Sequence, residues 1–156
     1  VTPFWSATTE AYVKKDIAWI RNSEKKLLKV WFAFIFAGVA MVLFSPVFFN
    51  IWIKDRLEID KIAVIMLTIY LLMQMYSNIY LSFINGIGKI RLQLYTCIAL
   101  PFLYIPTAIY LGKTYGISGF ITAGIIIMLA NTILYKIQYH KIINAINEGK
   151  TGIWYR

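Results

Sequence analysis

Charge is absent from most of this 156-residue chain. From Val30 to Ile53, and again from Ile62 to Ile84, there is no Asp, Glu, Lys, Arg or His. Each run exceeds the roughly 20 apolar residues that a helix rising about 1.5 Å per residue needs to cross hydrocarbon, so a soluble domain is excluded. Cysteine is nearly missing too. Cys97 stands alone inside an apolar run, which rules out an intrachain disulfide and leaves it as a small hydrophobe. His140 is the one histidine, so no histidine cluster can bind a metal or act as a base. None of the apolar runs holds a carboxylate for a proton relay, and the acids total 7 against 16 Lys and Arg. These absences argue against an enzyme: no catalytic residue, no metal site and no cofactor is expected.

What is present fits a bilayer. Hydrophobic residues make up 60% of the chain and aromatics 17%, with a mean hydropathy of +0.65 and a net charge of +9. The basic excess lies between apolar runs, where it meets anionic headgroups, so no nucleic-acid partner is expected. The pattern predicts an all-α polytopic membrane protein with four transmembrane helices over residues 30–53, 62–84, 94–111 and 119–135. Residues 1–29 should end one helix and continue as an interfacial amphipathic helix, with Ile17, Ile20, Leu27, Leu28 and Trp31 near helical spacing. Residues 136–156 read as a polar helical tail. The chain opens on Val1 without a short charged-then-apolar leader, and a continuation upstream is expected.

Three prolines punctuate the spans. Pro46 should bend the first near its end, while Pro101 and Pro106 should kink or open the third and free carbonyls that need partners. Gly86 and Gly88 allow a tight turn held at the surface by Lys89 and Arg91. Gly119, Ala123 and Ala130 give the fourth span a small face.

The loops also predict orientation. Twelve basic residues fall to one side, among them Lys14, Lys15, Arg21, Lys25, Lys26, Lys29, Lys89 and Arg91, against Lys54, Arg56, Lys61 and Lys113 on the other. The positive-inside rule then places both ends in the cytoplasm. Gln74, Ser77 and Asn78, at spacings of three and four, should form one polar stripe facing protein or water; Asn85 and Asn131 join them as candidate cavity residues. Such amides and hydroxyls can bind sugar hydroxyls, and they can equally hold helices together. Lys25, Lys26, Lys89 and Arg91 are candidates for contact with a diphosphate headgroup, or serve only to set topology.

Several motifs in order resemble one family. Pro3-Phe4-Trp5-Ser6-Ala7-Thr8-Thr9-Glu10-Ala11-Tyr12-Val13-Lys14-Lys15-Asp16, Trp19-Ile20, Asn50-Ile51-Trp52-Ile53, Asn85-Gly86-Ile87-Gly88-Lys89-Ile90-Arg91-Leu92-Gln93, Ile105-Pro106-Thr107-Ala108 and Tyr115-Gly116-Ile117-Ser118-Gly119 are similar to the C-terminal part of Wzx-type O-antigen and polysaccharide flippases. These belong to the multidrug/oligosaccharidyl-lipid/polysaccharide exporter superfamily. The resemblance implies the last four helices of a larger helical transporter bundle in the bacterial inner membrane. It implies a lipid-linked oligosaccharide on undecaprenyl diphosphate as substrate, alternating access as mechanism, no organic cofactor, and a missing N-terminal lobe of the same transporter as partner. Two other readings stay open: a small four-helix membrane scaffold or assembly subunit, and part of a drug-efflux relative.

Overall fold

The computed structural model describes residues 2–53, 60–146 and Trp154. Lys54, Arg56, Lys150 and Arg156 of the charge count, and the end of the predicted tail, lie outside the described residues. Among the described residues the chain is all-helical, with α1 (Thr2–Val13), α2 (Ile17–Ile53), α3 (Lys61–Ile87) and α4 (Arg91–Asn144). Three helices are long and apolar enough to cross a membrane: Ile17–Trp52, Lys61–Ile87 and Arg91–Asn144. Large apolar side chains stand bare on their outsides, including Phe36, Met41 and Leu43 on α2 and Phe102 on α4. That is the surface of a membrane-embedded protein, since water would not tolerate it.

The N-terminal break lies between Val13 and Ile17. Lys15, at φ 55, ends α1, and Asp16 caps the next helix by accepting from the Trp19 N–H at 2.9 Å. From Ile17 onward the helix has no boundary at Lys29. The basic segment is the first third of α2, continuous with the apolar run that follows it. Within α2, Pro46 leaves the Val42 carbonyl without its usual donor, and Ser45 Oγ supplies one at 2.8 Å.

Helix α3 begins at Asp60, whose carboxylate accepts from the Ile62 N–H at 2.9 Å. It ends at Gly88, φ 81, with the Gly88 and Lys89 N–H groups closing onto the Ile84 carbonyl. The tight turn expected of both glycines belongs to Gly88 alone. Gly86 lies buried inside α3 for a different reason: a Cβ there would sit 2.7 Å from Thr8 Cβ, because α1 crosses α3 at this point. Thr9 Oγ1 donates to the Gly86 carbonyl and fixes the crossing.

Helix α4 folds back on itself. Gly116, at φ 61 and ψ −138, is its non-helical residue. Across it, Tyr104 meets Phe120 with ring centroids 5.8 Å apart, and Thr96 meets Tyr135 at 3.2 Å. Gly119 is seated on the Leu111 carbonyl, where a Cβ would lie at 2.0 Å. The predicted loop of residues 112–118 is thus helical on both sides of a single reversed residue.

The second arm of α4 runs on as helix beyond Tyr135 to Asn144, and part of that stretch is buried. Tyr139, Ile142 and Ile143 are buried with Tyr80, Phe83 and Ile84 of α3, Ile20 of α2 and Ala11 of α1, and together they form the core. Tyr139 lies 5.3 Å from both Tyr80 and Phe83 between ring centroids. This core occupies the α1 end of the bundle. At the opposite end Ser118 Oγ donates to Asp60 Oδ2 at 3.0 Å, so the start of α3 and the Gly116 turn lie together.

Candidate functional site

The polar groups of α3 divide between two faces. Ser77 is buried on the side of Tyr80 and Ile84, whereas Asn78 is exposed and Gln74 and Asn85 are half-buried. Spacings of four, four and three put Gln74, Asn78, Ser82 and Asn85 on one stripe. The stripe spans three turns of an otherwise apolar helix, and none of its four side chains makes a hydrogen bond among the described residues. Sequence reasoning placed Ser77 on this stripe and overlooked Ser82, although Ser82 is four residues beyond Asn78.

Seven residues before Gln74, on the same face, Leu67 reaches a cavity of about 470 Å³ between α3 and both arms of α4. Its polar lining comes from Tyr70, Thr96, Tyr104, Asn131 and Tyr135. Thr96 spends its hydroxyl hydrogen on the Gln93 carbonyl at 2.9 Å, so Tyr135 is the donor across the hairpin at 3.2 Å. The Asn131 Oδ1 is buried and has no partner among the described residues. An acceptor left open inside a cavity suits a ligand hydroxyl or N–H. Pro101 lines the same wall and withholds the donor that would otherwise cover the Cys97 carbonyl. Thr132, beside Asn131, is committed to the Met128 carbonyl at 2.7 Å.

The basic candidates are all at the α1 end but are not gathered into one site. Lys25 lines a crevice between the start of α2 and the end of α4, with Arg21, Glu24 and His140; Lys26 is exposed outside that lining. Lys89 contributes through its backbone, since its carbonyl accepts from Gln138 Nε2 at 3.0 Å and ties the Gly88 turn to α4. Arg91 is exposed at the first position of α4. Nearby on α1, the hydrogen bond and charge of Lys14, 2.6 Å away, hold the exposed Glu10 carboxyl below its usual range, and the same contact raises Lys14. No family model, curated protein or solved structure matches this chain.

Proposed function

We propose that the chain is the C-terminal portion of a Wzx-type flippase that moves undecaprenyl-diphosphate-linked oligosaccharides across the bacterial inner membrane by alternating access. In this reading α2, α3 and the two arms of α4 make four crossings. Both ends lie in the cytoplasm, because the α1 end carries Arg21, Lys25, Lys26, Lys29, Lys89, Arg91, Lys136 and Lys141 while the described part of the other end carries Lys61 and Lys113. The remaining lobe of the transporter covers the polar stripe.

The observation that carries this reading is the bare stripe of Gln74, Asn78, Ser82 and Asn85. Unpaired amides within a spanning helix do not face lipid; they line a water-filled path or contact another protein surface. Uncharged amides and hydroxyls fit a ligand made of hydroxyl groups, and the stripe runs toward the cavity that holds Asn131.

The test uses cells whose surface polysaccharide depends on the full-length protein. Replacing Gln74→Leu and Asn78→Leu together removes two polar contacts of about 0.7 kcal/mol each and should lower polysaccharide export roughly tenfold at unchanged membrane abundance. Undiminished surface polysaccharide overturns the assignment.

A further inference from the structure

A second feature of the molecule lies away from the polar stripe, on α2. The crevice at the α1 end encloses about 320 Å³ and is lined by Arg21, Glu24 and Lys25 from α2 and by Tyr139, His140 and Asn144 from α4. Its inner wall is fixed. Tyr139 is 1% exposed, packs on Tyr80 and Phe83, and donates its hydroxyl to Glu24 Oε2 at 2.9 Å. That bond turns one carboxylate oxygen inward. Arg21 and Lys25, one turn apart, outnumber Glu24 and leave the mouth positive.

The face of α2 that begins with these two cations carries a third, the exposed Lys29, one turn on, and beyond it continues as bare hydrocarbon. Arg21, Lys25, Phe32, Phe36 and Val39 follow at intervals of four, seven, four and three residues, and so share one stripe of the helix. The three apolar members are 57%, 76% and 52% exposed. From Lys25 to Val39 the axial rise is about 21 Å at 1.5 Å per residue. The distance from the headgroup level to the bilayer midplane is about the same, being half of a total thickness of roughly 40–45 Å. A positive recess followed by a lipid-length apolar track is the imprint of one amphiphile, with its anionic head in the crevice and its acyl chain along α2.

We infer that this crevice is a binding site for the phosphate of an anionic phospholipid, whose acyl chain lies on Phe32, Phe36 and Val39. The proposal is independent of the flippase reading, which rests on α3. Free phosphate offers the same head chemistry but leaves the apolar track unused, so the track favours the lipid.

The experiment is native mass spectrometry of the full-length protein in detergent, with phosphatidylglycerol, phosphatidylcholine and inorganic phosphate added separately and in competition. The wild-type protein should retain one phosphatidylglycerol in preference to phosphatidylcholine, and inorganic phosphate should not displace it. Arg21→Gln with Lys25→Gln should weaken retention roughly thirtyfold, as expected for two basic residues facing an anionic lipid. Lys15→Gln with Lys113→Gln removes the same charge elsewhere and should leave retention unchanged. Glu24→Gln keeps an acceptor for Tyr139 while removing the opposing charge, and should tighten retention about fivefold, a gain that misfolding cannot produce. Equal loss in both double variants would reduce the effect to bulk charge and overturn the site. Displacement by inorganic phosphate, or weaker binding in Glu24→Gln, would overturn it as well.

Discussion

Ser45 hands its hydroxyl hydrogen to the Val42 carbonyl at 2.8 Å, and that carbonyl is the one Pro46 deprives of a backbone donor. Two adjacent residues therefore cancel each other's effect on the helix, in a segment with no water to make good the loss. Ser45→Ala should destabilise the helix by about 1 kcal/mol, the size of one hydrogen bond. The same substitution in a Pro46→Ala background should cost almost nothing, because the backbone N–H restored by that replacement takes over. Unfolding titrations of the four proteins give the coupling directly, and additive effects would show that Ser45 acts independently of Pro46.

Gly86 and Gly88 stand two residues apart and are glycine for unrelated reasons. At Gly86 the space is filled by Thr8; at Gly88 nothing lies within 4 Å of a Cβ, but φ is +81. Asn tolerates a left-handed backbone and needs room. Gly88→Asn should therefore lower stability by less than about 1 kcal/mol, whereas Gly86→Asn should lift α1 off α3 and cost about 1–3 kcal/mol. Thermal melts of the detergent-purified protein check the order. Faster trypsin cleavage at Lys14 and Lys15 in Gly86→Asn alone would locate the damage. Equal losses in the two variants would remove the distinction.

Which parts of this molecule could be read from sequence follows from how local their causes are. The long charge-free runs dictate membrane helices whatever their neighbours do, and Ile62 to Ile84 falls within α3 as expected. Faces are another matter. Ser77 and Asn78 flank Gln74 on opposite sides, one at three residues and one at four, so spacing alone admits both to a stripe; only tertiary packing decides that Ser77 is buried and Asn78 exposed. Gly116 is one of several glycines and turn residues in its stretch, and nothing local selects it as the reversal point. The burial of Tyr139, Ile142 and Ile143 was legible and was missed. With Tyr135 they repeat at four, three and one residues, a helical apolar face that the surrounding Lys136, Gln138, His140 and Lys141 obscured.

Asn131 offers a test in which stability and function move in opposite directions. Its Oδ1 is buried without a partner among the described residues, a state that costs about 1–3 kcal/mol if the amide serves folding alone. Asn131→Leu removes that cost and fits a cavity wall already formed by Ile127 and Met128. The variant should be more stable by about 1 kcal/mol and, on the proposed flippase reading, export less polysaccharide in cells dependent on the full-length protein. A less stable variant would mean that the amide is held by a hydrogen-bonding partner in the folded protein. Normal export would remove Asn131 from the substrate path.

The hydrogen bond from Ser118 to Asp60 constrains topology, because it places the start of α3 and the Gly116 turn at one end of the bundle. The core around Tyr139 and Ile20 places α1 and the end of α4 at the other. Those two ends must lie on opposite sides of the membrane if α3 and both arms of α4 cross it. Single cysteines introduced at Asp60, Lys113, Lys15 and His140, with Cys97→Ser as background, read this out with an impermeant maleimide. Asp60→Cys and Lys113→Cys should react in intact cells, while Lys15→Cys and His140→Cys should react only after permeabilisation. The pairing matters more than the sign. If all four inverted together, the hairpin would stand and the positive-inside assignment would fall; if Lys113→Cys sorted with Lys15→Cys, the arms of α4 would not both cross, and the four-crossing arrangement would have to be abandoned.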